Sequence, residues 1–203
     1  MDENKNMEMR DISRLLEESR AAAARAEKGG EETEKDASLR GVPYPPLDGI
    51  GEDQAALKIV SPAYAGDEGE LTAVLQYIYQ HILFDAMGKR EYADALLKIA
   101  ISEMKHLEIL GSLIYRLGAL PVYSYLPPYP INYYCARSVS YSRTPQKMIL
   151  DDIEAEQYAI DTYTKMLRRL KDERVAAVVQ RIRMDEEEHL ARFKEILREM
   201  TSQ

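Results

Sequence analysis

Tryptophan is absent from this 203-residue chain and cysteine occurs once. No apolar run comes near the ~20 residues needed to cross a bilayer, which excludes a membrane-spanning helix. The single Cys135 cannot form an internal disulfide. That fits a reducing, cytoplasmic setting, with a packed or loop thiol as the expected role. Basic residues are outnumbered, 27 Lys and Arg against 35 Asp and Glu, for a formal charge of −8. Phosphate backbones need clustered Lys or Arg, and no basic patch stands out, so a nucleic-acid partner is not expected. The opening MDENKNMEMRDISR is acidic and has no apolar stretch, which argues against a secretory signal. What the chain does have is a helical composition rich in Ala, Leu, Glu, Lys and Arg, with 45% hydrophobic and 31% charged residues. That is enough for one sizeable core plus extensions.

Residues 1–60 read as an acidic extension and linker, carrying 14 acidic and 9 basic residues. Ile12, Leu15 and Leu16 followed by AAAARAE suit one short helix. The later GVPYPPLDGIG breaks regular structure repeatedly. From 61 to 203 the periodicity predicts four long helices at about 66–87, 90–117, 146–170 and 173–199. Gly88 and Gly118 stand at expected helix stops, and Thr144-Pro145 at an expected start. Two short connections imply two antiparallel hairpins. The segment of about 118–144 between them is long enough to run the length of a ~28-residue helix, about 42 Å. The expected fold is therefore all-α: an antiparallel four-helix bundle with a long crossover between its second and third helices. Six of the fourteen tyrosines lie in that crossover, suited to covering the bundle's outer surface.

The informative glutamates are those that point where leucines should. Glu103 and His106 lie amid the stripe of Leu96, Ile99, Ala100, Leu107, Leu110 and Ile114. Glu186 and His189 occupy the same place among Val179, Ile182, Leu190, Phe193 and Leu197. Glu156 sits among Ile149, Ile153, Ile160, Tyr163 and Leu167, and Glu70 beside Leu71, Val74, Ile78 and Ile82. Glu68, Glu108, Glu154 and Glu188 project elsewhere. An unpaired buried carboxylate costs several kcal/mol, and no Lys or Arg shares these stripes. Two divalent ions would balance four carboxylates, with two neutral imidazoles completing the ligand set of Glu70, Glu103, His106, Glu156, Glu186 and His189. Glu156 is the expected bridge. The chain also repeats itself: each of Glu70 and Glu156 is followed by Ala three later, Tyr seven later and a Glu-x-x-His about thirty later. Tyr77 and Tyr163 could thus hydrogen-bond a ligating glutamate. His81, ~16 Å further along the helix axis, is expected to be structural or to lie on an access path.

At these residues the chain resembles the ferritin-like superfamily: bacterioferritin, rubrerythrin and manganese catalase. GELTAVLQY is similar to the first-helix ligand motif of bacterioferritins, and GDEGEL to manganese catalases and their spore-coat relatives. EMKH and DEEEH resemble the two Glu-x-x-His motifs, and DIEAEQYAI places the third-helix ligand at Glu156 rather than Glu154. The resemblance covers roughly 62–200 and implies two iron or two manganese ions per chain. It implies oxidoreductase chemistry, of peroxidase or catalase type on peroxide or of ferroxidase type on dioxygen and Fe(II). Tyr77 matches the bacterioferritin motif and is the expected supporting residue for catalysis. Met104 follows Glu103 as in bacterioferritins, where a methionine at that place ligates haem across a two-fold interface. Packing at a helix interface is the preferred role for it here, with haem the alternative. One cysteine cannot build the four-cysteine iron domain of rubrerythrins, and the chain stops soon after the fourth helix. A homodimer or small homo-oligomer is therefore expected rather than a full cage. Iron storage, or a structural coat or cargo protein retaining a metal site, are the competing functions.

Overall fold

The computed structural model describes residues 42–125 and 132–202. The helix expected near Ile12 falls outside the described residues. Among the described residues five α-helices follow in order: α1 (Gln54–Ala65), α2 (Glu70–Ala86), α3 (Arg90–Arg116), α4 (Pro145–Leu167) and α5 (Glu173–Thr201), with a 3-10 turn at Ala136–Ser138. The four long helices form an all-α bundle: α2 packs on α3, α4 on α5, and the long crossover joins the pairs. Gly88 and Gly118 carry the positive φ of helix stops, +74° and +98°. Pro145 opens α4, but the Thr144 side chain makes no capping bond. Asp172 does cap α5, accepting from the backbone N–H groups of Arg174 at 2.8 Å and Val175 at 3.4 Å.

Helix α1 was not distinguished by periodicity, partly because Pro62 lies inside it. It forms because Asp53 caps its first turn, accepting from Ala55 and Ala56 at 2.8 and 3.0 Å. Its apolar face then buries Leu57, Val60 and Tyr64 in one core with Leu110, Leu113 and Ile114 of α3 and Val175, Val178 and Val179 of α5. Each such aliphatic side chain contributes about 1.5–3 kcal/mol of burial. A second core, from Tyr77, Phe84, Leu96, Ile99, Met148, Ile149, Phe193 and Ile196, fills the other end of the bundle. The Glu-x-x-His residues of α3 and α5 lie between these two sets along their helices. The polar layer is thus sealed by apolar packing on both sides.

In the crossover, Tyr123 stacks on Tyr64 with ring centroids 5.5 Å apart, while Tyr125, Tyr133 and Tyr141 stay half exposed. They cover the surface rather than entering the core. Cys135 is a free, exposed thiol on this segment. No helix among the described residues is long and apolar enough to cross a membrane.

Candidate metal centre

Glu70, Glu103, His106, Glu156, Glu186 and His189 are all buried, none above 5% exposure, and the bundle brings all six together. Three of the four glutamates that the helical periodicity turned outward, Glu68, Glu108 and Glu154, are exposed, and Glu188 is half-buried. The six form two overlapping groups. His106 Nδ1 faces Glu103 Oε2 at 2.9 Å, Glu186 Oε1 at 3.1 Å and Glu70 Oε2 at 3.6 Å. His189 Nδ1 faces Glu103 Oε1 at 2.7 Å, Glu186 Oε2 at 3.1 Å and Glu156 Oε1 at 3.8 Å. Glu103 and Glu186 therefore give one oxygen to each side, whereas Glu70 and Glu156 each belong to one. Glu156, the expected bridge, belongs to one group only; the two glutamates common to both are Glu103 and Glu186, on the helices that also carry the histidines.

Two tyrosines hold the outer glutamates crosswise. Tyr77 of α2 donates to Glu156 Oε1 of α4 at 2.6 Å, and Tyr163 of α4 donates to Glu70 of α2. Burial pushes both phenols well up, and the facing carboxylates Glu156 and Glu70 add to it, so both remain neutral donors. The clustered carboxylates and imidazoles shift one another's proton affinities. Burial, then Glu186 and Glu103, push Glu70 well above the carboxylate range. Burial and Glu186 do the same to Glu156. For both histidines burial favours the neutral ring, but the surrounding carboxylates outweigh it and raise them. Burial also opposes the charge on Glu103, yet His189 and His106 hold it well below its usual value.

Even so, His189 Nε2 remains buried without a hydrogen bond. Each group offers ligand atoms within 4.8 Å of one another. A donor set of carboxylate oxygens and imidazole suits iron or manganese, so the residues present fit a pair of such ions. A cavity of about 700 Å³ reaches from exposed Asp67, Glu68 and Glu154 down to Glu70, Glu103, Glu156 and Glu186, passing Tyr77 and Tyr163.

Some supporting residues gave no clear sequence signal. Asp185 accepts from Tyr44 at 2.6 Å, pairs with buried Arg181 at 2.6 Å, and lies 3.2 Å from His106 Nε2. Arg181 corrects the expectation that these stripes hold no cation: it is 3% exposed and serves Asp185. The Arg181/Asp185 spacing of one helical turn was the available hint. Asp152 is likewise buried, accepting the amides of Gln76 and Gln80 at 2.8 Å each. His81 turns away from the cluster and donates Nδ1–H to Ala93 O at 2.8 Å, a structural role. Met104 stays exposed on the outer face of α3.

The model of the ferritin-like domain family matches residues 68–202, and the chain belongs to that family. The bacterioferritin of Desulfovibrio desulfuricans is 27% identical over 151 residues, spanning 73% of this chain and 78% of that protein. Its crystal structure, described by its diiron site, aligns with a TM-score of 0.61 at 25% identity, covering 72% of this chain and 80% of the other. A manganese catalase from Anabaena shares the fold with a TM-score of 0.65 at 23% identity, over 78% of each chain.

Proposed function

We propose that this protein is a dinuclear iron or manganese oxidoreductase acting on peroxide, or on dioxygen and Fe(II). One observation carries the reading: Glu103 and Glu186 each present one oxygen to the His106 side and one to the His189 side. These residues would hold a pair of adjacent cations, with Glu103 and Glu186 available to both and Glu70 and Glu156 to one each. The bound pair would supply the two-electron capacity that reduction of peroxide or dioxygen needs. The chain's own residues do the rest. Tyr77 and Tyr163 fix the outer glutamates through hydroxyl donors that stay protonated. Asp185 fixes the ring of His106. The apolar cores above and below exclude bulk water, and the acidic-rimmed cavity admits small oxidants and cations.

The bacterioferritin relative favours iron storage as a second reading. Protein purified anaerobically should carry two iron or manganese ions per chain by elemental analysis and consume peroxide or oxidise Fe(II), as a small oligomer by sedimentation. A hollow particle of about two dozen chains retaining a mineral core would decide for storage. Metal-loaded protein inert to both oxidants would end the enzymatic reading.

A further inference from the structure

The two Glu-x-x-His halves match in their ligands but not in what stands behind them. Immediately before Glu186 is Asp185; immediately before Glu103, at the equivalent place in the other half, is Ser102. Asp185 Oδ2 lies 3.2 Å from His106 Nε2 and takes the Tyr44 hydroxyl at 2.6 Å, while Oδ1 meets the Arg181 guanidinium at 2.6 Å. Tyr44 is clamped in turn. Its ring lies 4.5 Å beneath the Arg181 guanidinium and edge-on to His106 at 6.2 Å, and Arg181 Nε donates to Val42 O at 2.8 Å. The other half has none of this. Ser102 Oγ and His189 Nε2 are both buried, and neither makes a hydrogen bond. Lys98, one turn before Ser102 where Arg181 precedes Asp185, is exposed.

We propose that the two metal positions are unequal by construction: the position at His106, positioned by Asp185, Arg181 and Tyr44, binds more tightly and fills first, and the position at His189 is the weaker, exchangeable one. This rests on the dinuclear reading above. An imidazole that donates its distal N–H to a carboxylate is fixed in the tautomer whose Nδ1 lone pair faces the metal, and is the more basic ligand. Losing such a partner typically costs about 10–100-fold in metal affinity. Arg181 neutralises Asp185, so the difference acts through the hydrogen bond rather than net charge and should survive added salt. An unequal pair keeps one resident ion while the other comes and goes, as an Fe(II) substrate ion must. Val42 and Tyr44 thereby give the segment ahead of the bundle a role in the site.

The test is calorimetric titration of the metal-free full chain with Mn(II), followed in parallel by electron paramagnetic resonance. Two steps separated by about tenfold or more are expected, with the isolated-ion signal greatest near one equivalent and falling as the second ion couples to the first. Asp185→Ser, which gives the first half what the second already has, should weaken the first step toward the second and leave the second unmoved. Tyr44→Phe should act in the same direction by less, and serves if Asp185→Ser does not fold. Ser102→Asp should strengthen the second step only. Two ions entering in one step of equal affinity would overturn the proposal, as would Tyr44→Phe or Asp185→Ser weakening both steps equally. A chain that takes up no Mn(II) at all would instead remove the dinuclear reading on which it stands.

Discussion

Asp152 has its own dependence on pH, separate from the six clustered ligands. It is fully buried, and burial pushes its carboxyl up to about 8, with Gln76 and Gln80 only partly offsetting the cost of charge. Because the folded value lies above the unfolded one, the acid contributes stability below about pH 4 and loses it as pH rises through 8. Asp152→Asn keeps the amide partners and removes the titration. Relative to wild type, its stability should therefore rise between about pH 4 and 8, by at most about 5 kcal/mol, as read by urea unfolding at both ends of that range. Among the ligands, Glu103→Ala should abolish retention of both ions, whereas Glu70→Ala should lose one, measured as metal per chain after gel filtration. The buried cluster of six was legible in the sequence because a carboxylate in an apolar stripe contradicts its neighbours. Asp185 was hidden in the run Asp-Glu-Glu-Glu-His, and Tyr44 lies in a proline-rich segment with no period to reveal it.

At the level of elements, the turn that delivers Glu70 is the vulnerable one. A Cβ on Gly69 would lie 2.5 Å from Ala63 O and 2.9 Å from its carbonyl carbon, so the backbone itself must move. Gly69→Ala should lower stability by about 1–3 kcal/mol and also weaken one metal step, since Glu70 follows directly. Gly88, at φ +74° with nothing near its missing Cβ, provides the contrast. Gly88→Ala should cost only the left-handed strain of about 1–2 kcal/mol and leave metal uptake intact. Thermal melts paired with Mn(II) titration separate the two. The four long helices were readable because each combines a stripe of period 3.6 with a glycine or proline boundary. Helix α1 was not, because its proline and the Gly- and Pro-rich stretch before it speak locally for a linker. Burial against α3 and α5 outweighs them, and that long-range term has no local signature.

For the whole molecule, the six proposed ligands come from one chain, so occupancy should not depend on assembly. Metal per chain and affinity are expected to stay constant over about a hundredfold dilution, as checked by equilibrium dialysis beside sedimentation. Occupancy should also stabilise the bundle, because the ions replace protons in a polar layer set between two apolar cores. With free metal at about 100 times its dissociation constant, each ion adds about 2.7 kcal/mol. A chelator should therefore lower the melting temperature, and Glu103→Ala should lose that response.

The crossed tyrosines also have a bearing on descent. Tyr77 steadies a glutamate of the second hairpin and Tyr163 one of the first, so each half keeps the other's carboxylate in place. A lone hairpin bearing one Glu, one Glu-x-x-His and one such tyrosine could complete the cage only by meeting its own copy. Joining two copies through the crossover would lift that demand for sameness, since each half need then match only its partner. Ser102 opposite Asp185 is the kind of difference such freedom permits between two halves that repeat the same Glu and Glu-x-x-His spacing.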